Sequence, residues 1–195
     1  MEKDVLAYIA SICEQNDDGT WSSYNSVNLS GLHLVRFPVK FRIVDGDFWC
    51  DGCALESLEG GPKVVHGSFN CSNNDLISLE GAPRNVGGGF WCTNNRLTSL
   101  VGGPVSVKGD YCCVHNMLKT LRGAPKKVGK NFSCSENRLV TLDYSPHLVG
   151  GVFWCCSNLL TSLEGAPPTI GEMLFCANNP VPVYELLATI EREYL

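Results

Sequence analysis

Charge is scarce in this 195-residue chain: Asp, Glu, Lys and Arg make up 18% of it, against 44% apolar residues. That balance excludes an intrinsically disordered chain, which needs low hydrophobicity and high net charge. A basic excess is missing as well. With a net charge of −5, a general phosphate-binding surface is not expected, and nucleic acid is set aside as a partner. No apolar run approaches the ~20 residues that cross a bilayer, so no membrane partner is expected either. Met1-Glu2-Lys3-Asp4 opens an amphipathic stretch and not a charged-then-apolar leader.

What is abundant is glycine, at 20 residues, and cysteine, at 11. An odd count without a leader argues against a secreted disulfide framework. Seven of the thiols fall exactly 21 residues apart, from Cys50 through Cys71, Cys92, Cys113, Cys134 and Cys155 to Cys176. A fixed period in this range signals stacked repeats. Neighbours in such a column would lie about 4.8 Å apart with Cβ vectors pointing the same way, a poor start for a disulfide. Free cysteine instead serves as a small buried apolar residue, and a reducing cytoplasm is the expected location.

The other columns keep the same beat. An aromatic or Leu sits two residues before each cysteine, from Phe48 to Leu174, and a Leu five residues after, from Leu55 to Leu160. A second Leu follows three later, Asn recurs from Asn74 to Asn179, and Pro from Pro62 to Pro167. One coil reads G-x-F-x-C-x-x-N-x-L-x-S-L-x-G-A-P-x-x-V-G. The F-x-C segment alternates, so it predicts a short strand with Phe and Cys inward and a parallel sheet across coils. Asn marks the turn, where its amide can satisfy freed backbone groups as a buried ladder, with Cys53 in that slot of the first full coil. Leu-x-x-Leu predicts the far wall, Gly-Ala-Pro an extended corner, and a Val/Ile column from Val65 to Ile170 the closure of the core.

These residues carry a resemblance. F-x-C-x-x-N-x-L is similar to the leucine-rich-repeat signature L-x-L-x-x-(N/C)-x-L, and the short period resembles compact bacterial and bacteriophage-type repeats. The match covers residues 46–181 in seven copies. Val27, Leu29, Leu32, Leu34 and Phe37 keep the phase of a degenerate copy over 27–45, whose proline is displaced to Pro38. The resemblance implies an α/β repeat solenoid with one parallel β-sheet of about eight short strands. Helical spacing of Val5, Leu6, Ile9, Ile12 and Cys13 predicts a capping helix over 3–14, which Asn16-Asp17-Asp18-Gly19 ends, within an N-terminal unit of 1–26 whose residues 20–26 are a loop or irregular edge. Leu186, Leu187, Ile190 and Tyr194 predict a second cap within 182–195.

Function is expected on the strand's outward positions. The column between Phe and Cys holds Trp49, Asn70, Trp91, Cys112, Ser133, Trp154 and Phe175, flanked by Asp47, Asp51 and Asp110, with His115 at the turn edge. Tryptophan also favours strands in general, but an aromatic patch facing solvent marks an interaction site and Trp leads the hot-spot ranking. The expectation is a non-enzymatic module that binds another protein, self-association included, through Trp49, Trp91, Trp154 and Phe175, with the aspartates, Asn70 and His115 as polar contacts. The resemblance allows a phage or bacterial factor that sequesters or inhibits a host protein. A nucleotide sink that sandwiches a base between tryptophans is the alternative, and a self-assembling structural protein a third. No cofactor or metal is expected: Cys50-x-x-Cys53 has no second pair at ligand spacing, the vicinal cysteines are one core and one outward residue each, and Cys112 with His115 lacks an orienting acid. The glycine doublets precede strands rather than helices, unlike a phosphate loop. Lys63, Arg84, Lys126 and Lys127 read as a solvated rim.

Overall fold

A computed structural model describes residues 2–182, with side chains from Asp4 onward. It is a repeat β-solenoid of stacked coils with a 21-residue step, and each coil contributes to two parallel sheets instead of one. The chain opens with helix α1 (Glu2–Ile12), β1 (Glu14–Gln15) and β2 (Trp21–Ser23), followed by β3 (Val27–Asn28), β4 (Phe41–Val44) and β5 (Phe48–Trp49). From there every coil adds one two-residue strand to each sheet, as far as β16 (Thr169–Ile170) and β17 (Leu174–Phe175). Odd-numbered strands from β3 to β17 form an eight-stranded sheet, and the even-numbered ones, with β1 at the edge, a nine-stranded sheet.

The eight-stranded sheet is the one that the F-x-C segment predicts. The nine-stranded sheet was not expected. It is built by the Val/Ile column, with Val65, Val86, Val107, Val128 and Val149 paired directly across coils. A β-branched residue on a short extended segment, repeated at every coil, meets a copy of itself and forms the same ladder as Phe and Cys. Each corner before it carries a buried proline, Pro62 to Pro167, which has no N–H to leave unsatisfied. Residues 20–26 also differ from expectation: β2 pairs parallel with β4, so the nine-stranded sheet reaches back into the N-terminal unit. The helix ends at Ile12, and Asn16 to Gly19 turn a β1–β2 hairpin, closed by Gly19 N–H donating to the Asn16 carbonyl at 2.9 Å.

Both sheets enclose one core. Phe48, Phe69, Phe90, Tyr111, Phe132 and Phe153 stack ring on ring with centroids 5.2–5.6 Å apart and planes within 18°. The six thiols from Cys50 to Cys155 are fully buried, and each donates to a carbonyl of the next strand, as Cys50 Sγ does to Asn70 at 3.3 Å and Cys134 Sγ to Trp154 at 3.4 Å. Burial raises the pKa of each of these thiols. Cys176, in the last coil, is only partly covered.

The asparagine ladder forms as predicted. Asn116 Nδ2 donates to the carbonyls of Cys92, Cys113 and Val114 at 3.0–3.3 Å, and its Oδ1 accepts the Leu97 N–H at 3.0 Å. Cys53 keeps the cross-coil part of that pattern, its Sγ donating to the Leu29 carbonyl at 3.2 Å. At the N-terminal end Val5 and Ile9 of α1 join the core cluster together with Phe37 and Phe41. The helix predicted within 182–195 falls almost wholly outside the described residues. No helix among the described residues is long and apolar enough to cross a membrane.

Two columns of left-handed backbone turn each coil. One runs Gly31, Gly52, Asn73, Asn94, His115, Glu136, Ser157, Asn178, all at φ of 53–70°. The other holds Gly60, Gly81, Gly102, Gly123, Tyr144 and Gly165. Tyr144 is the exception there: a bulky residue at φ 67°, a conformation that costs about 1–2 kcal/mol outside glycine.

Candidate functional site

The outer surface of the eight-stranded sheet is the candidate site, because the pleat turns the residue between each buried Phe and Cys outward. Strand pairing sets that column in strict register: Trp49 beside Asn70, Asn70 beside Trp91, Trp91 beside Cys112, Ser133 beside Trp154, Trp154 beside Phe175. Trp49 and Phe175 are the most open, at 36% and 41% exposure, while Trp91 and Trp154 are half-buried. The Trp154 and Phe175 rings stack on each other, 6.1 Å between centroids and 12° between planes. Trp91 is seated differently. Its indole lies over the Gly89 backbone, where a Cβ would collide with the ring. Glycine at 89 is therefore a cradle for the indole, in a column that otherwise carries side chains.

That column has a structural task. In Ser26, Asp47, Ser68, Asp110 and Asn131, a side-chain oxygen accepts the backbone N–H of the same position one coil later. Asp47 Oδ1 accepts from Ser68 at 2.7 Å, Asp110 Oδ1 from Asn131 at 3.1 Å, and Asn131 Oδ1 from Val152 at 2.8 Å. Asp51 Oδ1 likewise accepts the Ser30 hydroxyl at 2.6 Å, and Asn70 Oδ1 the Ser72 N–H at 3.0 Å. The polar residues expected to address a partner thus each hold part of the solenoid's own surface. None of the sheet's outward positions carries Lys or Arg.

His115 belongs to the turn edge and not to the aromatic column. Its Nδ1 lies 2.9 Å from Glu136 Oε2, both side chains about half exposed. Similar pairs run along that edge: Asn94 Nδ2 donates to Asn73 Oδ1, and Asn178 Nδ2 to Ser157 Oγ. Cys112 Sγ takes a hydrogen bond from Thr93 Oγ1 at 3.2 Å, while His115 is oriented by Glu136, an acid that the residue pattern alone did not offer. Among the described residues no three His, Cys, Asp or Glu side chains gather as a metal site. The cysteines are all free.

No family model and no curated protein matches the chain.

Proposed function

We propose that this protein is a non-enzymatic binding module of leucine-rich-repeat type that docks a partner protein on the outer face of its eight-stranded sheet. One observation carries the reading: Trp49, Trp91, Trp154 and Phe175 stand in register on a single face, and the backbone beneath them is hydrogen-bonded coil to coil. Rings held this way lose little conformational freedom on binding, which is where rigid aromatic anchors gain affinity. With the aspartates already bonded within the face, the aromatic column supplies most of the contact energy and the polar residues its rim. Sequestration or inhibition of a host protein in the cytoplasm is the physiological role consistent with a display of this kind.

A nucleotide sink is less well supported. Holding a base between two rings needs them about 7 Å apart, twice a stacking distance. Trp154 and Phe175 are already stacked on each other, and Trp49 and Trp91 are separated by the Asn70 strand. The deciding experiment compares wild type with the Trp91→Ala/Trp154→Ala variant in affinity capture from host lysate, beside a nucleotide titration read by tryptophan fluorescence. Partner capture that the variant loses, at an unchanged melting temperature, is the expected result. Capture equal in both proteins, or a nucleotide response instead, would overturn the proposal.

A further inference from the structure

Charge along this chain is segregated in a way that its net value conceals. Residues 1–100 hold seven Lys/Arg against twelve Asp/Glu, residues 101–142 seven against two, and residues 143–195 one against six. The chain therefore runs −5, +5, −5. In a solenoid, position along the sequence is position along the axis, so the middle segment becomes a basic belt about two coils wide. One coil carries most of it. Lys119 and Arg122 lie on the leucine wall, Lys126 and Lys127 at the strand of the nine-stranded sheet, and Lys130 at the corner beyond. All five are exposed, and none enters an ion pair among the described residues. The two acids of the segment are engaged elsewhere: Asp110 caps the Asn131 N–H, and Glu136 faces His115.

Nothing in the fold requires this arrangement. Like charges in adjacent positions repel and lower the stability of the compact state. We infer that the belt is a second docking surface, distinct from the aromatic column, that takes an extended acidic polypeptide segment running around the coil from Lys119 to Lys130. The width selects that occupant. Two coils span about 10 Å, room for one extended chain; along the leucine wall Glu80 lies beyond one margin of the belt and Asp143 beyond the other, while at the proline corner the cations continue into Arg84 and Lys63. A duplex or a lipid surface is broader and would be pressed against those acids. A single nucleic-acid strand binds by stacking successive bases on aromatic platforms. Here the belt offers Val101 and Val105 between its cations, and the exposed rings of Tyr144 and His147 lie beyond its margin, one coil after Gly123 and Lys126.

The probe is a fluorescein-labelled peptide of about ten glutamates, followed by anisotropy at about 50 mM salt. Wild type and the Trp91→Ala/Trp154→Ala variant should bind it equally, which separates this surface from the aromatic one. Lys126→Glu/Lys127→Glu/Lys130→Glu should weaken binding at least about tenfold, as should raising salt to about 200 mM. Thermal melting checks that the variant is folded, and the milder triple Lys→Gln change replaces it if it is not. No binding by wild type, equal binding by a folded triple variant, or displacement of the peptide by an equimolar oligothymidine strand would each overturn the inference.

Discussion

The two sheets share a coil, a register and a step, yet they are made of different chemistry. Inside the eight-stranded sheet lie stacked rings, thiols and the asparagine turn, the rings tied coil to coil by contact and the thiols and asparagines by hydrogen bonds to neighbouring coils. Inside the nine-stranded sheet lies a bare column of Val, with Ile170 in the last coil. Their outer surfaces contrast equally: aromatic rings and bonded aspartates on one, exposed cations on the other. The lesson is that stacking identical units needs only one apolar residue per strand, as valine shows. The polar and aromatic elaboration of the other sheet sets the coil's shape and, outside, its chemistry.

Alkali should break the comparison most strongly. The six core thiols have their pKa raised by burial, whereas an unfolded thiol ionises near pH 8.5. A raised folded value means the stabilisation is intact below the unfolded value and is lost as pH climbs past it. Six thiols lose together up to about 8 kcal/mol per pH unit once the unfolded chain is ionised, comparable to the ~5–15 kcal/mol of a whole domain. Circular dichroism against pH should show cooperative unfolding near pH 10. A structure unchanged at pH 11 would mean that the thiols titrate in place. The valine sheet contributes nothing to this transition.

Truncation sharpens the contrast at smaller scale. Phe132→Ala, in the middle of the ring stack, should cost about 3–5 kcal/mol, and Val128→Ala, in the same coil but the other sheet, about 2 kcal/mol. Urea midpoints at unchanged slope measure both, and equal losses would show that the sheets hold the coil alike. The smallest expected effect is a gain. The Tyr111 hydroxyl is buried with no well-formed hydrogen bond, facing only the weakly polar Cys92 thiol, inside a stack that is otherwise phenylalanine. Tyr111→Phe should stabilise by about 1–2 kcal/mol, because an unpaired buried hydroxyl costs roughly that much. A lower melting temperature in that variant would reveal a bonded hydroxyl.

Legibility followed repetition. Phe, Cys, Leu and Asn columns announced their inward positions and the eight-stranded sheet, because a residue type repeated at a fixed step must meet the same environment in every coil. The second sheet hides in a column that is itself visible: Val65 to Ile170 predicts only closure of the core, since two residues are too short to show alternation. Trp21 in β2 was missed for the opposite reason, as the N-terminal unit has no repeat to compare it with. Among the site residues, the outward placement of Trp49 and Phe175 was readable from the pleat. The engagement of Asp47, Asp51 and Asp110 was not, because it depends on a neighbour 21 residues away coming within 3.1 Å.

The order of residues alone determined that this protein is a stack of equivalent coils, which side chains face its interior, and how charge is apportioned along its axis. Tertiary structure alone decided that the valine column pairs into a sheet, that the Trp91 indole rests on Gly89, and which outward polar side chains are bonded from coil to coil. The division has one physical cause. Period and polarity are properties of a single coil, whereas hydrogen bonds and ring contacts exist only between coils, once the distance from each to the next is set.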